Sequence, residues 1–118
     1  MKLWVDDIRD APDDSWTEVR KVEPAVALLA KFPMTEISLD HDIEYRPSDE
    51  TFKPLAYYIG LLLSGDDLNG QRYARGHLPK ITIHSDNPVG AKEMIAILND
   101  YGITAKWEPY STYGGNKN

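Results

Sequence analysis

The sequence predicts an α/β domain in which a mostly parallel, five-stranded sheet is flanked by helices. Short apolar segments alternate with longer segments of helical period, as they do in successive β–α units. The 118 residues suit one core, so we assign residues 1–110 to one domain and 111–118 to a flexible C-terminal tail. Turn-forming residues 9–16 are too short for a helix with both connections, so the first crossover helix is missing from the predicted fold.

Five segments have the character of strands, at residues 2–8, 17–22, 36–40, 80–84 and 103–108. The third is an apolar run of the kind expected at a central position in a parallel sheet. The first two strands lack a helix between them. The sequence therefore leaves open whether they pair antiparallel or are joined by a short crossover loop.

Three segments have helical period, and proline, asparagine or glycine marks their ends. The predicted helices run from Glu23-Pro24 to Phe32, from Pro54 to Ser64, and from Asn87-Pro88 to about Tyr101. Polar residues 43–53 are a predicted loop, and glycine-containing residues 64–80 are either a long loop or a frayed extension of the second helix.

Composition narrows the class of protein. The formal net charge is −6, so binding to long nucleic acid through bulk charge is not expected. A small phosphorylated ligand or a divalent cation remains compatible with that charge. The chain has no cysteine, no apolar run of transmembrane length and no signal-peptide pattern, so we expect a cytoplasmic protein that does not enter membranes. The sequence leaves open whether it forms a homo-oligomer.

Polar clusters follow three of the predicted strands. They are Asp6-Asp7-Ile8-Arg9, Asp40-His41-Asp42 and His84-Ser85-Asp86-Asn87. In an open α/β sheet the carboxyl ends of parallel strands form the ligand crevice, so these clusters should share one pocket. Each cluster also has a structural explanation as turn residues or, for Asp86 and Asn87, as a helix cap.

Alternation along a strand places Asp40 and Asp42 on one side and His41 on the other. Adjacent acids such as Asp6 and Asp7 repel each other unless a positive group lies nearby, and hard divalent cations take carboxylate oxygens. Arg9 or a divalent cation would meet that need.

The clusters resemble the receiver domains of two-component signalling, which place an acidic pair after the first strand, an aspartate after the third and a hydroxyl residue after the fourth. Asp6-Asp7, Asp40 and Ser85 match those positions. The missing first helix departs from ordinary receivers. So does Glu108 before Pro109, where receivers carry lysine.

The chain is more similar to a divergent group, the cyclic-phosphate processing receiver domain family. The shared motifs are Asp6-Asp7-Ile8-Arg9, Leu39-Asp40-His41-Asp42 and His84-Ser85-Asp86-Asn87-Pro88-Val89-Gly90, with Met94 following. The resemblance covers nearly the whole chain. It implies a receiver-like (flavodoxin-like) fold and a cyclic phosphate or cyclic nucleotide as ligand.

The chemistry of the residues agrees with hydrolysis of such a ligand. His41 and His84, with Asp40 and Asp42, are the expected catalytic residues, because two imidazoles can divide base and acid roles near neutral pH. Arg9, Ser85 and Asn87 are expected to bind the phosphate. Asp6, Asp7 and Asp40 are expected to hold Mg²⁺ or Mn²⁺.

Two other functions stay open. The chain could bind a cyclic or phosphorylated nucleotide signal without turnover, as a sensor or a sponge. A phospho-accepting receiver is the weaker alternative, because Glu108 stands at the place of the lysine.

Overall fold

The computed structural model describes residues 1–42, 51–64 and 78–110. The predicted tail 111–118 lies outside the described residues, as do most of the predicted loop 43–53 and most of residues 64–80. The strands are Lys2–Val5 (β1), Trp16–Val19 (β2), Glu36–Leu39 (β3), Lys80–Ile83 (β4) and Lys106–Trp107 (β5). The helices are Val22–Lys31 (α1), Lys53–Ser64 (α2) and Pro88–Asp100 (α3).

The five strands form one sheet in the order β2-β1-β3-β4-β5, and every pair is parallel. This is the strand order of flavodoxin-like folds, and it confirms the predicted fold class. The pairing of β1 with β2 is parallel, with Lys2 opposite Trp16. The connection between them is therefore a crossover through residues 6–15, one of the two alternatives that the sequence left open.

The last strand is shorter than predicted, because the residues before it complete the end of α3. The amides of Gly102 and Ile103 donate to the carbonyls of Asn99 and Leu98, at 2.9 and 3.0 Å. Gly102 has a φ of 78°, the left-handed conformation that glycine adopts most easily at a helix end. These residues cannot also pair with β4, so β5 begins only at Lys106.

Side-chain alternation gives the sheet two different faces. One face contributes aliphatic residues to a core that all three helices share, with Leu39 and Ile83 fully buried there. The other face carries Trp4, Ser38 and His84, which are also fully buried. None of the helices in the described part of the chain is long and apolar enough to cross a membrane.

The close packing of α2 against the end of α3 depends on Gly60. A Cβ at this position would overlap the aromatic ring of Tyr101. We expect Gly60→Ala to destabilise the protein by about 1–3 kcal/mol, since overpacking outweighs the gain of about 1 kcal/mol in helix propensity. Urea unfolding of the variant checks this.

The matched background for that change is Tyr101→Ala, which removes the ring atoms that a Cβ at Gly60 would overlap. The cost of Gly60→Ala should shrink in this background, because the two residues are coupled by contact. An equal cost in both backgrounds would show that the Tyr101 ring is not the cause.

Candidate functional site

Backbone hydrogen bonds fix the polar clusters at the carboxyl edge of the sheet. The amides of Asp6, Asp40 and His84 each donate to the last residue of the neighbouring strand, at 3.2, 2.9 and 2.8 Å. The three clusters therefore start at matched heights on β1, β3 and β4. This register brings side chains that are far apart in sequence to one place.

His84 lies at the centre of this edge and is fully buried. Its Nε2 is 2.9 Å from Oδ2 of Asp6, and its Nδ1 is 2.8 Å from the hydroxyl of Ser38. Burial lowers the pKa of His84, although the hydrogen bond with Asp6 opposes that effect. The hydrogen-bond network thus fits a neutral ring whose Nε2–H donates to Asp6 and whose Nδ1 accepts from Ser38.

The carboxylate of Asp6 organises the loop that follows β1. Its Oδ1 accepts hydrogen bonds from the amides of Ile8 and Arg9, at 3.0 and 2.9 Å. Burial alone would raise the pKa of Asp6, but the hydrogen bonds from His84 and these amides outweigh it, so the pKa is lowered. Asp6 is therefore an ionised, fully buried acid.

Arg20, which directly follows β2, also holds this loop. Its Nη1 donates to the carbonyl oxygens of Asp6 and Arg9, at 3.1 and 2.8 Å, and its Nη2 binds Asp10 at 2.7 Å. The indole Nε1 of Trp4 donates to the same Arg9 carbonyl at 3.0 Å. These bonds give a fixed course to a connection that contains no helix. Sequence reasoning missed Arg20 and Trp4, because neither belongs to a polar cluster after a strand.

The side chain of Arg9 reaches across to the third cluster. Its guanidinium lies 3.1 Å from a carboxylate oxygen of Asp86 and 4.7 Å from the ring centre of Tyr110. The ion pair and the cation–π contact hold a positive charge at the mouth of the site. Tyr110 also escaped the sequence analysis, since it follows β5 without a motif.

Asp40 is the acid whose ionisation the site disfavours most. It is only 3% exposed, and its side chain accepts a 2.8 Å hydrogen bond from the amide of His41. Burial first, and then the negative charge of Asp6, raise the pKa of Asp40 to about 7. A positive charge placed between Asp6 and Asp40 would relieve this repulsion.

His41 points away from Asp40 and lies between β3 and α3. Its ring rests on Gly90, where a Cβ would overlap it, and its Nδ1 is 2.6 Å from Oδ1 of Asp42. His41 is 6% exposed, and its Nε2 has no hydrogen-bond partner within the described structure. Gly90 thus admits the imidazole behind Asp42.

The N-terminus of α3 is capped by Asn87, whose side-chain oxygen accepts from the amide of Gly90 at 3.1 Å. The Ser85 hydroxyl accepts from the amide of Asn87 at 3.0 Å, and the indole of Trp107 donates to the Ser85 carbonyl at 2.7 Å. Pro88 has no N–H. The first turn of α3 therefore offers an anion few free amides, and Arg9 is the stronger anchor.

These elements surround a cavity of about 260 Å³ at the carboxyl edge of the sheet. It is lined by Arg9, Asp40, Asp42, Ser85, Asp86 and Asn87. Asp6, His41 and His84 lie behind this lining, and Asp7 is 8% exposed. The sequence-predicted residues thus share one edge of the sheet, but neither imidazole lines the cavity.

The donor atoms of Asp6, Asp40 and His84 lie within 4.8 Å of one another, a spacing that one metal ion could bridge. Both nitrogens of His84 already have protein partners. Carboxylate oxygens of Asp6 and Asp40 are therefore the donors that fit a hard cation. Asp7 does not belong to this group of atoms.

The strand order and the acidic carboxyl edge define a receiver-like α/β domain. Residues 1–100 match the model of the cyclic-phosphate processing receiver domain. The chain belongs to this family. Comparisons with curated proteins and with solved structures gave no match.

The raised pKa of Asp40 predicts a dependence of stability on pH. Between pH 4 and 7 the unfolded chain ionises Asp40 while the folded protein keeps it protonated, so the folded state binds more protons and its stability falls as pH rises. Asp40→Asn abolishes this loss. We expect its advantage over the wild type to be near zero at pH 4 and to reach up to about 4 kcal/mol above pH 7.

Urea unfolding from pH 4 to 8, with a chelator present, measures this difference. The control is Asp14→Asn, which removes an exposed acid outside the site. A stability difference between Asp40→Asn and the wild type that stays constant over the range would contradict the raised pKa.

Proposed function

We propose that the protein processes a cyclic phosphate or cyclic nucleotide at the carboxyl edge of its sheet. The observation that carries this proposal is the cavity there, in which acidic side chains and one guanidinium face each other in a member of this family. The ligand would be small. A cavity of about 260 Å³ suits a phosphate ring and part of a nucleoside.

The charges of the lining argue for a cation as well. An anionic phosphodiester would meet three carboxylates, from Asp40, Asp42 and Asp86, and one guanidinium. The crowding of Asp6 and Asp40 favours Mg²⁺ or Mn²⁺ there, held by Asp6 and Asp40 with Asp7 next to Asp6 in the chain. When bound, such an ion supplies positive charge to the phosphoryl oxygens.

Arg9 is the residue best placed to hold the phosphate. Its guanidinium can exchange the carboxylate of Asp86 for phosphoryl oxygens, which it can bind in bidentate fashion. Tyr110 keeps the side chain extended toward the cavity through the cation–π contact. Ser85 and Asn87 shape the opposite wall.

Ring opening forms a bond from a water oxygen to phosphorus and breaks one ester P–O bond. Asp42 lines the cavity and accepts the water proton, with His41 bound behind it at 2.6 Å. The leaving alkoxide also needs a proton. Asp40, with a pKa of about 7, is placed to donate it. A cation held by Asp6 and Asp40 would favour the ionised form of Asp40, and solvent would then have to supply that proton.

One observation favours a second function, the binding of a nucleotide signal without turnover. Neither imidazole lines the cavity, so no histidine nitrogen faces a ligand there in the described structure. A sensor or sponge would need the same phosphate anchor and no proton transfer. A phospho-accepting receiver is the weaker alternative, since Glu108 precedes Pro109 after β5.

Incubation with a panel of cyclic nucleotides and Mg²⁺, followed by mass analysis of protein and nucleotides, separates these functions. We expect ring-opened product, and a fall in turnover of about 10² to 10⁴ for Asp42→Asn, the usual range for a lost general base. Intact bound ligand in the wild type would favour the sponge. A protein heavier by one phosphoryl group would favour the receiver.

Ligand affinity should depend on both the positive charge of Arg9 and the bidentate geometry of its guanidinium. We expect Arg9→Ala to weaken binding of the cyclic nucleotide identified by that panel by about 10–100-fold, and Arg9→Lys to recover only part of it, because lysine cannot bind phosphate in bidentate fashion. Calorimetric titration measures both.

Tyr110→Leu is the matched control, since it keeps apolar bulk and removes the aromatic face. It should weaken binding less than Arg9→Ala does. Unchanged affinity in Arg9→Ala would exclude Arg9 as the phosphate anchor.

A further inference from the structure

His84 is fully buried and does not line the cavity, so its contacts differ from those of a residue that donates a proton to a ligand. We propose that Ser38, His84 and Asp6 form a positioning relay that holds the Asp6 carboxylate in one orientation toward the cation. His84 is then a positioning residue, and Ser38 and Trp4 belong to its support. The inference rests on the proposed cation at Asp6 and Asp40.

Both ring nitrogens of His84 have hydrogen-bond partners within the protein. Nδ1 is 2.8 Å from the Ser38 hydroxyl, and Nε2 is 2.9 Å from Oδ2 of Asp6. Ser38, His84 and Asp6 are all 0% exposed. A ligand in the cavity therefore meets Asp40 and Asp42 before it meets this imidazole.

The plane of the His84 ring is fixed by stacking. The indole of Trp4 stacks on the His84 ring with centres 3.9 Å apart and planes 7° apart. Trp4 is itself tied to the site loop through its bond to the Arg9 carbonyl. A flipped ring would place carbon atoms opposite Ser38 and Asp6, so the stack and the two hydrogen bonds define one orientation.

These contacts of His84 restrict the orientation of the Asp6 carboxylate. A carboxylate offers about four acceptor positions. On Asp6, Oδ1 takes the amides of Ile8 and Arg9, and Oδ2 takes His84. One acceptor position on Oδ2 remains free for a ligand. A carboxylate oxygen of Asp6 lies within 4.8 Å of one of Asp40, so the two side chains are close enough to share an ion. The relay thus leaves Asp6 as a single-oxygen ligand with a fixed direction.

Hydrogen-bond partners of metal ligands commonly contribute 10–100-fold to metal affinity or activity. Two variants of His84 separate positioning from proton transfer. Glutamine places an amide nitrogen three bonds beyond Cβ, as Nε2 is, so it can still donate to Asp6. Asparagine reaches only the position of Nδ1 and loses that donor.

The experiment titrates Mn²⁺ by calorimetry into the wild type, His84→Gln, His84→Asn and Ser38→Ala. We expect His84→Gln to stay within about 3-fold of the wild type and His84→Asn to bind about 10–100-fold more weakly. Ser38→Ala should fall between them, since it removes only the outer support. If the wild type binds Mn²⁺, equal affinities in the Gln and Asn variants, whether both weak or both native, would overturn the relay.

A second measurement does not need the cation. Nitrogen NMR of protein with ¹⁵N-labelled histidine reports which ring nitrogen carries the hydrogen, and the His84 signals are assigned by their loss in His84→Gln. We expect the hydrogen of His84 on Nε2 and none on Nδ1. The opposite tautomer would overturn the relay even if Mn²⁺ binds. A wild type that binds no Mn²⁺ but shows the expected tautomer would overturn the proposed cation and leave the hydrogen-bonded relay standing.

Discussion

The buried hydrogen bond between His84 and Asp6 is the contact on which the rest of the site depends. It joins β4 to β1 across β3, so it can form only when the three central strands are in register. A buried carboxylate without partners is very unfavourable, and this one has three donors. Two of these donors, the amides of Ile8 and Arg9, belong to the loop that carries the Arg9 side chain. The hydrogen bonds that stabilise the buried Asp6 carboxylate therefore also fix the position of that loop beside the cavity.

Each imidazole of the site is bonded to one carboxylate: His41 to Asp42, which lines the cavity, and His84 to Asp6, which lies behind that lining. The Asp6 carboxylate also lies near that of Asp40. An imidazole bonded in this way fixes the direction of an acid without competing for the ligand. Burial first, and then the negative charge of Asp6, explain why Asp40 resists ionisation.

Much of this edge could be predicted because its determinants are local. Asp6, Asp40 and His84 each follow an apolar run, and parallel strands carry such residues to one edge wherever the run ends. The alternation that separates His41 from Asp40 and Asp42 is likewise a property of three consecutive residues. What could not be predicted depends on contacts between distant segments. Ser38 lies inside a strand and meets His84 only through the register of β3 and β4.

The absence of a helix between β1 and β2 has a physical consequence for the whole site. A crossover helix would fix the loop after β1 through its own backbone hydrogen bonds, whereas here side chains carry that task. Arg20 binds two carbonyls of the loop and Trp4 binds one of them again. Trp4 also stacks on His84, so one side chain supports both the loop of Arg9 and the partner of Asp6. The loop of Arg9 and the acidic centre are therefore positioned by a shared support, and a change in Trp4 would disturb both together.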